Sequence, residues 1–331
     1  MTHSVTFCAT AKTGLGHLRR STNIAAALRE RNRDLPLTLC SNAPVAGLAV
    51  GEAAYFSNSV VQPRAEMAAW LADGGGDGPV VVDTAVLPGL HRVARPLCLV
   101  LRATVADKVA RFALEDGRTW DLVCVPNPAS RWLPDGALLP ARRIEAVGWI
   151  YRRPEATAQE RAGTPRLLVA AGGGGGADAG SAFGAAVDAL VAKVRAALPG
   201  PLDVILASGP RADGDAAITG ADRVLDADPD LHQAFAGADL VISTAGYNSV
   251  LELACTDVPV LFVPIARTYD DQAARARYWA PRLGLCHEPS DPGRSAAWMT
   301  EVLRSRRRRA PADPGPSGAA ACAGLIEGLM A

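Results

Sequence analysis

The sequence predicts an α/β protein with two parallel-sheet domains. Short apolar runs typical of buried strands alternate with helical stretches, and this alternation occurs twice along the chain. A charged, proline-containing stretch without apolar periodicity, residues 151–165, separates the two halves. The length of 331 residues suits two domains of ordinary size. Strands that alternate with helices form parallel sheets with helices on both faces.

Residues 1–150 are the predicted first domain. Its strands are short and mostly apolar, as in the centre of a parallel sheet, and they are expected at Ser4–Ala9, Leu37–Ser41, Val80–Asp83, Leu97–Leu101 and Leu122–Pro126. Helices are predicted at Leu18–Arg31 and Ala65–Ala72.

Residues 166–310 are the predicted second domain, with strands at Arg166–Ala171, Leu202–Ala207, Leu240–Ser243 and Val258–Pro264. Its helices are expected near Gly180–Leu198, Gly246–Cys255, Asp271–Pro281 and Arg294–Ser305. Residues 311–331 form a proline-rich linker and a C-terminal helix that must pack on another element. The arginine run from Arg306 to Arg309 is interpreted as a solvated helix end, in preference to a docking site for an acidic partner or a membrane surface.

The composition excludes several classes of protein. With 34 basic and 34 acidic residues the net charge is zero, which argues against a nucleic-acid-binding surface. No apolar run approaches the ~18 residues of a membrane-spanning helix, and the N-terminus lacks the pattern of a secretory signal. The seven cysteines are scattered singly and are interpreted as small buried apolar residues. We therefore expect a globular, cytoplasmic protein without an integral membrane segment.

The loop after the first strand contains a candidate catalytic histidine. Gly14 and Gly16 permit a tight turn, and His17 follows them at the start of a helix. The positive end of the helix dipole disfavours the protonated imidazole, so His17 could act as a general base on a hydroxyl. A histidine that only caps or packs the turn is the alternative.

Five consecutive glycines follow the first strand of the second half. Gly172, Gly173 and Gly174 begin this run, whose backbone N–H groups could face an anion. The next strand ends at Ala207-Ser208-Gly209 without the acidic residue that holds the ribose of NAD, which argues against a dinucleotide-dependent oxidoreductase. A plain flexible loop is the alternative.

The most informative segment follows the strand that ends at Ser243. Small polar residues turn the chain into a helix whose first-turn N–H groups suit a diphosphate. Glu252 lies one turn further along the face that also carries Asn248 and Ser249, where its carboxylate could accept hydrogen bonds from ribose hydroxyls. An ordinary helix with a surface glutamate is the alternative. The candidate donor-binding residues of this segment are Thr244, Gly246, Tyr247, Asn248, Ser249 and Glu252.

Another helix begins after the strand that ends at Pro264. Asp271 and Gln272 project from its start, where a carboxylate and an amide could bind adjacent hydroxyls of a sugar. N-capping is the alternative role for these residues, and Asp270 is the expected N-cap.

No metal or cofactor is predicted. Asp226 and Asp228 have the spacing of a metal-binding pair, but Asp228 before Pro229 is interpreted as the cap of a helix. The other histidines have no ligand spacing with one another or with cysteine.

Taken together, these motifs resemble the nucleotide-sugar glycosyltransferases of GT-B fold. The resemblance is to the branch that contains the lipid II-forming N-acetylglucosaminyltransferase of peptidoglycan synthesis and its bacterial relatives. Its motifs occur in the expected order between about residue 10 and residue 285, and they are Gly14 to Arg20, Val81 to Thr84 with Pro88-Gly89, Gly172 to Gly176 with Asp178, Ser243 to Glu252, and Asp271 to Ala273.

The resemblance implies two Rossmann-like domains that face each other across a cleft, with the nucleotide-sugar donor on the second and the acceptor on the first. Glu252 would hold the ribose, and the backbone near Leu225 would meet the base, which is uracil by family bias. Asp271 and Gln272 would contact the sugar. His17 would be the base of an inverting, metal-independent transfer. The acceptor side would include Gly14, Gly16, Asp83, Thr84 and Arg102.

The acceptor is expected to be a small molecule with a hydroxyl or amine. Arg102-Ala103-Thr104 lacks the aspartate that those relatives often show after the arginine, and the first half has no long basic and apolar patch for a membrane. Three alternatives stay open: a nucleotide-sugar hydrolase with His17 acting on water, an epimerase, and a non-catalytic nucleotide-sugar-binding subunit.

Overall fold

The computed structural model describes residues 4–11, 15–43, 53–74, 76–154, 163–171, 177–207, 218–225 and 231–330. The chain divides into two compact units. Unit 1 comprises Met1–Arg152 and Gly315–Ala331, and unit 2 comprises Arg153–Pro314. Each unit contains a parallel β-sheet with helices, so the predicted class of two Rossmann-like α/β domains is confirmed.

Unit 1 contains a seven-stranded parallel sheet. Its strands are β1 (Val5–Ala9), β2 (Leu37–Ser41), β3 (Asn58–Val61), β4 (Val80–Asp83), β5 (Leu97–Val100), β6 (Leu122–Val125) and β7 (Ile144–Ala146), in the spatial order β3-β2-β1-β4-β5-β6-β7. The chain builds outward from β1 in one direction and then continues from β4 in the other. The loops after β1 and β4 therefore diverge at the carboxyl edge of the sheet, which is where ligands bind in folds of this class.

The central strands of unit 1 form because their side chains are apolar on both faces. Every residue of β1, β4, β5 and β6 is buried. Helix α1 (Gly16–Arg31) packs Leu18, Ile24 and Leu28 into the core, whereas α2 (Met67–Ala72) is a short connection between β3 and β4. The core of unit 1 thus holds the start of α1 beside β1 and β4.

Unit 2 repeats this arrangement with six parallel strands. They are β8 (Arg166–Ala170), β9 (Asp203–Ala207), β10 (Arg223–Leu225), β11 (Leu240–Ser243), β12 (Val260–Phe262) and β13 (Gly284–Cys286), in the order β10-β9-β8-β11-β12-β13. The helices are α3 (Ala177–Ala197), α4 (His232–Gly237), α5 (Tyr247–Ala254), α6 (Gln272–Leu283) and α7 (Pro292–Ser305). In this unit, the loops that diverge at the carboxyl edge of the sheet are those after β8 and β11.

The strands that the sequence predicted are present within two residues of their expected bounds. Four further strands, β3, β7, β10 and β13, were not predicted. All four lie at the ends of the two sheets and have only three or four residues, most of them partly or fully exposed. Because one side of an edge strand faces solvent, it lacks the continuous apolar run that identifies a central strand.

The C-terminal helix α8 (Ala319–Glu327) packs within unit 1. Cys322, Ala323 and Ile326 are fully buried in the same apolar cluster as α1. An ion pair of 2.6 Å between Arg31 Nε and Glu327 Oε2 joins the two helices at the surface. The partner of the predicted C-terminal helix is therefore α1.

Three of the four arginines of the run bind within unit 2, so the interpretation as a solvated helix end was wrong for Arg306, Arg308 and Arg309, whereas Arg307 is exposed. Arg306 Nη2 lies 3.0 Å from Oδ2 of the buried Asp239. Arg308 donates to the carbonyl oxygens of Ala236 and Ala238, at 2.8 Å each. Arg309 donates to the carbonyl oxygens of Leu253 and Val258, at 2.7 and 2.8 Å. These cations satisfy carbonyl groups near the ends of secondary structure elements.

Candidate active site

His17 lies in the first turn of α1 and contacts the end of a neighbouring strand. Its Nδ1 is 2.7 Å from Oδ1 of Asp83, the last residue of β4. The two residues are 66 positions apart in the sequence, and they meet because β1 pairs with β4 so that Ala9 lies beside Asp83. The His17 side chain is 25% exposed and Asp83 is fully buried. The predicted base and a predicted acceptor-side residue thus form a hydrogen-bonded pair.

This hydrogen bond decides which ring nitrogen could act as a base. An ionised carboxylate only accepts hydrogen bonds, so Nδ1 carries the proton that is donated to Asp83. In a neutral imidazole, Nε2 then holds the free electron pair. Asp83 therefore fixes both the tautomer and the orientation of the His17 ring.

Arg20 also binds Asp83, although the sequence analysis gave it no role. Its Nε donates to Asp83 Oδ2 at 2.7 Å, and its Nη2 donates to Oδ1 of the same carboxylate. The arginine is 1% exposed. The burial of Arg20 could have been predicted from the sequence, because Arg20, Ile24 and Leu28 are spaced four residues apart on the buried face of α1. A buried arginine in turn requires an acidic partner.

Thr84 follows Asp83 in a strained backbone conformation. Its φ is +42°, which is unusual for a β-branched residue. Both its N–H and its hydroxyl donate to the carbonyl oxygen of Val100, at 2.9 and 2.8 Å, and Arg20 Nη2 donates to its Oγ1 at 3.1 Å. Such strain persists only where neighbouring contacts hold it, and it is concentrated at functional sites.

The surrounding charges keep this pair in the protonation state that a base needs. Burial lowers the pKa of His17 and, together with the cations Arg20 and Arg102, outweighs the opposing effect of Asp83. Burial acts to raise the pKa of Asp83, but Arg20 and His17 outweigh it, so this pKa is lowered. At neutral pH the site therefore combines an ionised carboxylate with a neutral imidazole. Arg102 is half-buried just beyond the end of β5.

In unit 2, the turn between β11 and α5 contains a second strained residue. Ala245 has a φ of +63°, and Gly246 follows it as the extended N-cap of α5. Thr244 is 3% exposed, whereas Asn248, Ser249 and Glu252 are half-buried. The first-turn N–H groups of α5 thus lie at the carboxyl edge of the sheet, beside the point where the loops after β8 and β11 diverge.

A buried arginine holds this turn as well. Arg275 Nη1 donates to the carbonyl oxygen of Ala245 at 2.9 Å, and its Nη2 donates to Asp270 Oδ1 at 2.5 Å. The arginine and aspartate side chains are each 8% exposed. The guanidinium carbon lies 5.8 Å from the ring centroid of Tyr247, which is itself 8% exposed. Tyr247 therefore packs against the arginine that holds the turn.

The start of α6 differs in part from the expectation. Asp271, not Asp270, is the N-cap, because its Oδ1 accepts a 2.8 Å hydrogen bond from Ala274 N–H. Asp270 was expected to cap the helix, but Arg275 engages it instead. Gln272 is 4% exposed, and its Oε1 accepts from Ile265 N–H at 3.2 Å. That Asp271 and Gln272 contact a sugar stays a prediction.

The remaining candidates differ in how far the structure describes them. Gly16 is exposed as the first residue of α1, and Leu225 is the half-buried last residue of β10. Gly14, Gly172, Gly173, Gly174, Asp226 and Asp228 lie outside the described residues. Within the described part, no group of three or more His, Cys, Asp or Glu residues could hold a metal ion. No helix there is both long and apolar enough to cross a membrane.

Comparisons with known proteins show what this chain is similar to. Residues 175–285 match the Glycosyltransferase family 28 C-terminal domain. A UDP-N-acetylglucosamine–N-acetylmuramyl-(pentapeptide) pyrophosphoryl-undecaprenol N-acetylglucosamine transferase of Ralstonia nicotianae is 34% identical over 171 residues, which cover 48% of this chain and 44% of that protein. The match thus spans less than half of the length of this curated relative.

Solved structures share the fold of the whole chain. The glycotransferase of kitacinnamycin aligns with a TM-score of 0.60 and 16% identity, and the alignment covers 99% of each chain. The glycosyltransferase SsfS6 of Streptomyces sp. SF2575, complexed with thymidine diphosphate, aligns with a TM-score of 0.58 and 16% identity over 98% of this chain and 99% of that one. The chain therefore has the GT-B fold of these structures, and its residues 175–285 are similar to the family 28 C-terminal domain.

Proposed function

We propose that the protein is an inverting glycosyltransferase. It transfers a sugar from a nucleotide diphosphate sugar, most simply a UDP-sugar, to a hydroxyl or amine of a small-molecule acceptor. The observation that carries this proposal is the His17–Asp83 pair, in which a neutral imidazole is held with its basic Nε2 available. The match of residues 175–285 to a glycosyltransferase domain supports the same reaction class.

In this mechanism His17 acts as the general base. Nε2 takes the proton of the acceptor hydroxyl while the acceptor oxygen forms a bond to the anomeric carbon of the sugar. The bond between that carbon and the diphosphate oxygen breaks on the opposite face, so the anomeric configuration inverts. Asp83 stabilises the imidazolium that forms, as an oriented carboxylate does in other histidine bases.

Unit 2 would bind the donor. The N–H groups at the start of α5, from Gly246 to Ser249, would bind the diphosphate and stabilise the charge that develops as it leaves, so that no metal ion is required for this role. Glu252 would accept hydrogen bonds from the ribose, and the backbone near Leu225 would meet the base. A related protein is named for UDP-N-acetylglucosamine, and SsfS6 was crystallised with thymidine diphosphate, so a pyrimidine nucleotide is supported.

The preference for a small acceptor is also part of the proposal. The curated relative is named for an acceptor linked to pyrophosphoryl-undecaprenol. In this chain, three arginines of the run that could have attracted an anionic membrane instead bind Asp239 and backbone carbonyl groups of unit 2, and they are Arg306, Arg308 and Arg309. A water-soluble acceptor is therefore the simpler expectation.

Two measurements test the proposal. A thermal-shift panel of nucleoside diphosphates and nucleotide sugars should identify the donor, because a ligand that binds the native state raises its melting temperature. With that donor and a panel of hydroxyl and amine acceptors, mass spectrometry should detect a glycoside, and NMR should show an inverted anomeric centre. Free sugar released at the same rate with and without acceptors would identify a hydrolase instead. Donor binding without any turnover would identify a binding subunit.

A further inference from the structure

We propose that Arg20 is a positioning residue that holds Asp83 and Thr84 so that His17 works as a neutral base. This inference rests on the proposed function, and it concerns a residue with no place in the donor or acceptor assignments. Arg20 lies one helical turn after His17 on α1 and is 1% exposed. Because Arg20 is buried, it acts on the site through its contacts with neighbouring side chains.

The contacts of Arg20 fix the carboxylate on both sides. Nε binds Asp83 Oδ2, and Nη2 binds Oδ1, the same oxygen that accepts from His17 Nδ1. A planar guanidinium that binds both oxygens prevents rotation of the carboxylate group. The direction of the hydrogen bond to His17, and with it the direction of Nε2, is thereby determined by Arg20.

The charge of Arg20 is as important as its geometry. A buried aspartate beside a histidine favours the imidazolium, which cannot accept a proton. The positive charge of Arg20 balances the negative charge of Asp83. The net charge of Arg20, Asp83 and His17 together is therefore zero while His17 is neutral, and it becomes +1 when His17 is protonated. Protonation then places an unbalanced charge in a largely buried cluster, which is unfavourable.

Within the described ranges, the charged and titratable groups that face this cluster come from four elements. They are Arg20 on α1, Asp83 at the end of β4, Arg102 after β5, and Cys322 on α8, which lies within electrostatic reach of both Asp83 and Arg20. Arg102 acts on His17 in the same direction as Arg20, and Cys322 is a fully buried thiol. The described contacts of the Asp83 carboxylate come from Arg20 and from His17 itself.

Arg20 also joins the base to the strained turn. Its Nη2 donates to Thr84 Oγ1 at 3.1 Å and lies 3.3 Å from His17 Nδ1. The turn at Thr84 and the first turn of α1 are therefore tied to one guanidinium. Movement of either element would disturb the other.

The protonation of His17 can be tested without a known substrate. The chain has five histidines, so NMR with labelled histidine should resolve their titrations, and H17A identifies the His17 signal. We expect the His17 midpoint to rise in R20Q, because the balancing cation is lost. The matched control is R95Q, which removes another buried arginine of unit 1 that binds Gly78 O and Thr6 Oγ1. It should leave the His17 midpoint unchanged. An unchanged midpoint in folded R20Q would overturn the inference.

The kinetic test separates geometry from charge. R20K keeps the cation but cannot bind both carboxylate oxygens in parallel. We expect kcat to fall ~10-fold or more, with an unchanged donor dissociation constant, because base catalysis contributes ~100-fold or more. A wild-type kcat in R20K overturns the inference, and this variant decides the question if R20Q does not fold. Loss of the proposed function would look different, since wild-type protein and H17A would then have equal turnover.

Discussion

The turn after β4 and the turn after β11 occupy equivalent places in their two sheets. Each follows the strand beside the first strand of its unit, and each contains a residue other than glycine at positive φ, Thr84 at +42° and Ala245 at +63°. A buried arginine that is paired with a buried aspartate holds each turn. The same arrangement therefore recurs at the carboxyl edge of both sheets, where ligands bind in folds of this class.

The two turns differ in what the arginine holds. Arg20 donates to the hydroxyl of Thr84 and lies against His17, so it acts on a group that can exchange a proton. Arg275 donates to the carbonyl oxygen of Ala245 and packs against Tyr247, so it acts on the backbone at the start of α5. This difference supports the proposal that unit 1 supplies the base and unit 2 binds the diphosphate.

The largest expected effect is on stability. D83A would leave Arg20 buried without its carboxylate, and D270A would do the same to Arg275, so each should lower the free energy of unfolding by about 3–5 kcal/mol. The control is D107A, which removes an aspartate whose side chain is 70% exposed. Urea denaturation measures all three. If D83A and D270A lower the free energy of unfolding no more than D107A does, these aspartates do not stabilise the buried arginines.

The second prediction concerns pH and applies to unit 1 alone. Because the pKa of His17 is lowered from its ordinary value of 6.5, kcat/KM should stay constant around neutral pH and fall about tenfold per pH unit below that lowered pKa. Donor binding by unit 2 should not follow this profile. Both lowered pKa values, of His17 and Asp83, also mean that their contribution to stability is present at neutral pH and is lost on acidification. A kcat/KM that falls above pH 7.5 instead would argue against a neutral histidine base.

The third prediction concerns the ribose. Glu252→Ala should weaken binding of UDP by about 1–3 kcal/mol, because the ribose hydroxyls lose their acceptor. Calorimetry measures this, with E301A as a control that removes an exposed glutamate of α7 in the same unit. Equal affinity in the two variants would remove Glu252 from the donor site.

The smallest expected effect comes from the turn of unit 2. Arg275→Gln should release the carbonyl oxygen of Ala245 and weaken UDP binding by about 1 kcal/mol, with kcat at saturating donor unchanged. Arg282→Gln is the control on the same helix, since Arg282 is exposed and packs on Tyr278. A loss of kcat without a loss of affinity for UDP would mean that the turn of unit 2 contributes to catalysis and not to donor binding.

Much of this arrangement could be predicted from the sequence because it depends on local patterns. The central strands have apolar side chains on both faces. His17 and Asp83 lie at or just after strand ends, where ligands bind in folds of this class, and Glu252 lies on the helix that follows β11. The pairing of His17 with Asp83 could not be derived in this way, because it depends on which strand lies beside β1. The edge strands were missed because they lack buried faces on both sides.

Charged residues in apolar surroundings were harder to interpret. The buried position of Arg20 follows from the periodicity of α1, but its contact with Asp83 requires the fold. The arginine run was expected in solvent because its residues are consecutive and charged, whereas Arg306, Arg308 and Arg309 bind partners that are distant in sequence. The positive φ of Ala245 has no sequence signal, since alanine does not mark such a conformation.

The substitution His17→Ala tests whether unit 1 supplies the base while unit 2 binds the donor. Turnover and donor affinity should be measured on the same preparation, by product formation and by calorimetry. We expect kcat to fall ~100-fold or more while the donor dissociation constant stays within twofold. An unchanged kcat, or a loss of donor binding equal to the loss of turnover, would contradict this expectation.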